Sequence, residues 1–123
     1  MLEFFISGRL PGLNEMIDAA KKGRGMCNAY AREKKQITGA IAELLQPLNL
    51  PRFKKCRIGF RWVEPDRRRD IDNISAGKKY ILDALVWQGV IDNDDWKHVK
   101  GFLPEEFDCD KINPGVWVRI EAA

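Results

Sequence analysis

Residues 54–63 restrict the fold more than any other stretch of this chain. Cys56, Ile58, Phe60 and Trp62 alternate with Lys55, Arg57, Gly59 and Arg61. A strict two-residue period belongs to an extended strand, whose side chains point to opposite faces in turn. A helix would scatter the two sets around its axis. The apolar set therefore needs a covering layer, and a helix layer against a sheet is one of the few stable ways to supply it. The opposite set is a cationic row, either solvated or facing phosphate; exposed lysine and arginine need no special reason.

The remaining segments supply the partners. Leu2, Phe4 and Ile6 alternate with Glu3, Phe5 and Ser7, as in a half-buried first strand. Pro11 and Gly12 then punctuate the chain, and Asn14 suits a helix cap. Residues 15–46 are helical by pattern, with Ile37, Ile41, Leu44, Leu45 and Leu48 at helical spacing and Gly23 and Gly25 interrupting the first part. Pro47 and Pro51 bracket the exit. A second helix is expected from Asp72 or Asn73 to a C-terminal cap at Gly89, with Ile74, Ile81, Leu82 and Leu85 as its buried stripe. Strands are expected over residues 97–103 and 116–121. The order β-α-β-α-β-β in 123 residues reads as α+β: one small domain, 1–123, with a mixed sheet and helices packed on one face.

Composition narrows the setting. No apolar run approaches the ~18 residues of a membrane span. The first ten residues lack a basic leader and a small-residue cleavage site, so they read as a strand and not a signal peptide. Cys27, Cys56 and Cys109 are odd in number and form no close pair. They are expected to be small buried hydrophobes in a reducing, cytoplasmic setting. The net charge of +3 conceals a polarity: residues 1–69 carry 15 Lys/Arg against 7 Asp/Glu, residues 70–123 carry 6 against 11. A basic half beside an acidic half suits a protein that grips a polyanion with one part and collects cations with the other.

The segment from Glu64 to Asn73 carries the chemistry. Arg67, Arg68 and Arg69 are consecutive, and Asp70 and Asp72 follow two residues apart. On extended chain that spacing puts both carboxylates on one face. Hard divalent cations such as Mg²⁺ or Mn²⁺ take oxygen ligands of this kind. The competing local explanation is that Asp72 caps the helix while Asp70 pairs with Arg68 or Arg69. A second acidic cluster, Asp92, Asp94 and Asp95, lies just past Gly89. A single helix over residues 73–88 would be about 24 Å long, so this cluster reaches Asp70 only if its loop folds back along the helix. It is no EF-hand, because the third ligand position falls on Trp96. Lys79 lies seven residues after Asp72 and on one continuous helix would share its face. An ammonium there could hold a scissile phosphate or pair with Asp83; Lys78 is the competing lysine. His98, the only histidine, is read as a surface or interface residue.

The run Pro65-Asp66-Arg67-Arg68-Arg69-Asp70-Ile71-Asp72-Asn73 resembles the defining stretch of the RusA-type Holliday junction resolvases. So do Lys79, Asp83, Ala84 and Leu85, and Gly89, Val90, Ile91, Asn93 and Asp94 after them. A weaker likeness lies in Pro11, Gly12, Leu13 and Asn14 after the first strand. The resemblance implies that Asp70, Asp72 and Asp94 are catalytic carboxylates and metal ligands, with Asp95 the alternative to Asp94, and that Lys79 is the catalytic lysine. It implies Mg²⁺ or Mn²⁺ as cofactor and branched, four-way DNA as substrate. It further implies a homodimer making paired symmetric nicks in DNA recombination and repair, in a group of enzymes often carried by prophages. Arg67, Arg68, Arg69, Lys55, Arg57 and Arg61 would then grip backbone phosphates. Two other readings stay open: a nuclease of the same chemistry acting on other branched DNA, and a non-catalytic DNA-binding protein using only its basic half.

Overall fold

The alternating segment forms β2 (Cys56–Glu64), hydrogen-bonded on both sides in a five-stranded mixed sheet. The computed structural model describes residues 1–12, 15, 17, 18 and 29–123. Asn14, Gly23, Gly25 and Cys27 lie outside the described residues. On one side β2 runs antiparallel to β5 (Gly115–Ala122), with Cys56 opposite Ala122 and Trp62 opposite Val116. β5 in turn runs antiparallel to β1 (Leu2–Ser7), with Leu2 opposite Ile120.

On its other side β2 meets two short parallel strands end to end. β3 (Val99–Phe102) pairs with its first half, and β4 (Glu106–Cys109) pairs with its second. The residues between them include Pro104, which has no N–H to give to a ladder. The fold class expected from the sequence is the one found, with one strand more than expected. β4 has only four residues, and its place comes from lying opposite Arg61 to Glu64 of β2.

Cys56, Ile58, Phe60 and Trp62 face inward with Phe4 and Ile6 of β1 and Val116, Val118 and Ile120 of β5. Against them pack Ile41, Ala42 and Leu45 of α1 (Ala29–Leu45) and Tyr80, Ile81, Leu82, Ala84 and Leu85 of α3 (Lys78–Trp87), in one cluster. Burying each large apolar side chain stabilises the fold by about 1.5–3 kcal/mol. An exposed ion pair contributes only ~0–1 kcal/mol, so this cluster and not the surface charge joins the layers. Leu44 and Leu48, expected in the stripe of the first helix, are exposed instead. A short 3-10 turn over Gln46–Leu48 follows α1 and takes Leu48 off the helical face.

The second helix is not one rod. Five residues, Ile71–Ser75, form α2, and α3 starts at Lys78. Between them the Gly77 N–H donates to the Ile74 carbonyl at 3.1 Å, a tighter step than the helical one. A Cβ on Gly77 would stand 3.3 Å from the Trp62 ring and 3.4 Å from Leu10 Cβ, so glycine lets this corner approach the sheet. At the far end Gly89, at φ 72°, closes α3 as the expected left-handed cap.

Candidate active site

Asp70 and Asp72 sit where β2 gives way to the helices. Asp70 occupies the N-cap position of α2 in extended conformation, and its carbonyl accepts the Ile74 N–H at 3.1 Å, yet its side chain makes no capping bond. Asp72 lies in the first turn. Both side chains are exposed, and neither has a hydrogen bond or ion pair among the described residues. Local capping and pairing therefore do not occupy this pair.

The neighbouring arginines divide. Arg69 turns inward: its guanidinium donates to the Leu10 carbonyl at 2.9 Å, to Glu15 at 2.7 Å and to Glu64 at 3.3 Å. Glu64 is buried and takes Arg9 as a second partner at 3.2 Å. Arg69, expected to face phosphate, is thus a bracket between β2 and the segment after β1. Arg68 lies 3.7 Å from Asp66 in a local turn, where its own N–H also donates to that carboxylate. Of these three arginines, Arg67 alone is exposed and unpaired among the described residues. With Asp70, Ile71, Ile74, Phe107 and Cys109 it lines a groove of about 500 Å³. Cys109 is exposed there and not a buried hydrophobe, whereas Cys56 is fully buried and burial pushes its thiol pKa up.

Pro11 and Gly12 return to this point. A Cβ on Gly12 would stand 2.4 Å from the Asn73 side-chain oxygen and 2.9 Å from its carbonyl. Two sequence features some sixty residues apart, the turn after β1 and the Asp-x-Asp-Asn run, are thereby one place in the fold.

The acidic loop does fold back along the helix. Lys79, in the first turn of α3, donates to Asp94 at 2.9 Å and lies 3.1 Å from Asp83, which in turn meets Lys34 at 3.2 Å. The hydrogen bond to Asp94 does most to raise the Lys79 pKa; partial burial opposes it, and Asp83 adds to it. Lys78 points elsewhere. It pairs with Glu105 and stands 4.9 Å over the Phe102 ring. Because α2 and α3 are separate, Lys79 does not share one continuous helical face with Asp72.

The other acids of the loop are also held. Asp92 pairs with Arg52, and His98 Nδ1 lies 2.5 Å from Asp95. Those contacts keep both carboxylates below their ordinary range, Arg52 acting on Asp92 and His98 on Asp95. The loop is tied to the start of β2, where the Cys56 N–H donates to the His98 carbonyl at 2.8 Å. Asp70 lies beyond the other end of that strand. Among the described residues no three His, Cys, Asp or Glu side chains come together closely enough to hold a metal ion. Asp94 and Lys79 meet, Asp70 and Asp72 are neighbours, and the two groups stand apart.

The cationic row lies on the sheet face away from the helices. Arg61 stands 5.7 Å over the Trp117 ring and 3.7 Å from Asp108. Arg57 lies opposite Glu121 in register, and Leu103 covers Gly59 between the two arginines. Lys55 precedes the strand, its carbonyl accepting the Ala123 N–H at 2.9 Å. Lys55, Arg57 and Arg61 therefore form no continuous track to Asp70.

One carboxylate had no marker in the sequence. Glu105 accepts the Trp62 indole N–H at 2.8 Å, the Ser75 hydroxyl at 3.0 Å and the Lys78 ammonium. Partial burial pushes its pKa up, but the three donors together hold it below the ordinary value. It joins β2, α2 and α3 at the break that separates Asp72 from Lys79. Only Pro104, as an interruption, hinted that the chain leaves the sheet there. No protein-family model matches the chain, and no curated protein matches it.

Proposed function

We propose that this chain is a metal-dependent, structure-specific endodeoxyribonuclease of the RusA type, resolving four-way DNA junctions by paired nicks. The observation that carries this reading is the adjacent pair Asp70 and Asp72, exposed and without partners among the described residues while Arg68 and Arg69 are both engaged elsewhere. Two carboxylates two residues apart, both exposed and neither engaged among the described residues, are available to share a cation. An all-oxygen donor set fits a hard divalent ion, Mg²⁺ or Mn²⁺. A metal ion bound there would supply an activated water and neutralise charge on the phosphate.

The chain's own residues do the rest. Asp70 and Asp72 would hold the cation beside the groove that Arg67 lines, and Arg67 would draw a backbone phosphate to it. Asp94 stands apart from that pair and would join it as a third acid only if the acidic loop shifted toward Asp70. Its carboxylate is engaged by Lys79, so it would hold a cation only on giving up that partner. Lys79, released from Asp94, carries a full positive charge to the scissile phosphate and stabilises the negative charge that grows in the transition state. Two copies of the chain, each making one cut, suit the two-fold symmetry of a four-way junction. Recombination and repair of cytoplasmic DNA, including that of a prophage, is the setting that fits.

The test is nicking of a labelled synthetic four-way junction by wild type and Asp70→Asn in Mg²⁺, Mn²⁺ or EDTA. Paired symmetric nicks that need metal and disappear in the variant, with junction binding retained, are expected. Binding without cleavage under any metal overturns the assignment of the carboxylates and leaves a DNA-binding module.

A further inference from the structure

Trp96 is 93% exposed, at the turn that carries the acidic loop. A tryptophan this bare is unusual, because burying its large ring is favourable wherever the fold allows it. The turn beneath it is not loose. Asp95 accepts the backbone N–H of Lys97 at 3.1 Å and of His98 at 3.2 Å, its carbonyl accepts the Val99 N–H at 2.9 Å, and the Lys100 ammonium donates to the Trp96 carbonyl at 3.1 Å. The indole is thus presented on a braced platform, two residues past Asp94.

Its surroundings indicate the partner. From Asp92 to Lys100 the only other apolar residue is Val99, so the loop itself adds no apolar patch around the ring of the kind protein partners use. Asp92 pairs with Arg52, Asp94 with Lys79 and Asp95 with the His98 ring. Lys97 is exposed and makes no ion pair among the described residues, and Lys100 stands beside the indole's own carbonyl. An exposed aromatic face with two lysines on the same turn, neither ion-paired among the described residues, is complementary to a base with its phosphates. Stacking of this kind tolerates any base, because each has a π-face.

Resting on the nuclease reading above, we propose that Trp96 is a stacking wedge, on which a base unstacked at the DNA branch point docks while Lys97 and Lys100 hold its flanking phosphates. A base extruded at the branch gives up its stacking on one neighbour, and the indole replaces it. Continuous duplex offers no such base, so the contact favours branched over linear DNA.

The test uses the protein with four-way junctions carrying 2-aminopurine beside the branch point, and matched linear duplexes carrying the same base, in EDTA for emission and binding and in Mg²⁺ for nicking. Wild type should change the 2-aminopurine emission in the junction and not in the duplex. Trp96→Ala should abolish that change at saturating protein and weaken junction binding roughly tenfold or more, the range of base–aromatic stacking. Trp96→Phe should restore much of both. Since the indole is nearly bare, these variants should melt as wild type does. If Trp96→Ala gives the wild-type emission change and affinity while junctions are still nicked, the wedge is wrong and the nuclease reading stands. If Trp96→Ala alters only the mass of the protein in solution, the indole serves a second copy of the chain and the proposal falls. If wild type neither binds nor nicks branched DNA, the functional reading fails and takes the wedge with it.

Discussion

Lys79 donates to Asp94 at 2.9 Å across fifteen residues of sequence, and that bond folds the acidic loop back against the start of α3. Asp83 sits on the other side of the same ammonium at 3.1 Å and passes the chain of charges on to Lys34. The Lys79 side chain is about half exposed, so water screens these pairs and each contributes only ~0–1 kcal/mol to stability. Lys79→Met should therefore lower the urea midpoint slightly, while junction nicking falls by about 10²–10³, the usual loss when a transition-state donor is removed. Comparable losses of stability and of activity would make Lys79 a structural residue only.

Asp70 and Asp72 have no partner to lose among the described residues. Asp70→Asn and Asp72→Asn should leave the thermal midpoint unchanged, since neither breaks a contact among the described residues. Mn²⁺ binding, followed by electron paramagnetic resonance, should fall sharply in both. A marked drop in melting temperature would mean that these carboxylates serve the fold instead.

The three consecutive arginines should behave as three different residues. Arg69→Ala removes a nearly buried guanidinium from Glu64, Glu15 and the Leu10 carbonyl, and breaking such a pair costs about 3–5 kcal/mol when its partner stays buried. Arg9 still faces Glu64, so the lower end of that range is expected in denaturant melts. Arg67→Ala should change stability by under ~0.5 kcal/mol yet reduce the slope of log affinity against log salt by about one. The opposite pattern, with Arg67 stabilising and Arg69 binding DNA, would overturn this division.

Glu105 gives the protein a defined response to acid. Its carboxyl is held below its ordinary value of 4.5, chiefly by Lys78, Trp62 and Ser75 acting against burial. A depressed folded-state pKa contributes stability that is fully present above 4.5 and is lost as pH falls through the folded value. Glu105→Gln keeps the shape and drops the charge, and should cost about 1–2 kcal/mol at pH 7. That difference should shrink toward zero as the melts are repeated in increasingly acid buffer. A difference that is constant across the acid range would remove Glu105 from the charge network.

How much of this was legible in the sequence depends on where each cause lies. The strand β2 was plain because its period is written into its own residues, and Gly89 was plain because a left-handed cap calls for glycine. The break at Ala76 and Gly77 was not, since a glycine inside a helical pattern costs only about 1 kcal/mol and is often absorbed. The contacts that make Gly77 necessary come from Trp62 and Leu10, far off in sequence. β4 was hidden for the same reason: four residues with three polar or acidic neighbours become a strand only opposite β2. Among the arginines, sequence offered no way to tell Arg69 from Arg67, because the difference is made by Leu10, Glu15 and Glu64. The pairing of Lys79 with Asp94 needed the loop to fold back, which the sequence permitted without requiring. Glu105 and Trp96 carry no periodic signal at all; the partial burial of one and the exposure of the other are properties of the folded chain.

The gap between β3 and β4 has a consequence for the solution behaviour of the protein. A continuous strand alongside β2 would present an unbroken row of free N–H and C=O groups, the kind of border onto which another chain can add. Instead the border is two pieces of four residues each, separated by Leu103, Pro104 and Glu105. Proline offers no N–H, and the chain leaves the plane there to deliver Glu105 to the helices. The same interruption that delivers Glu105 to the helix break leaves fibre growth only a short, broken template along this side.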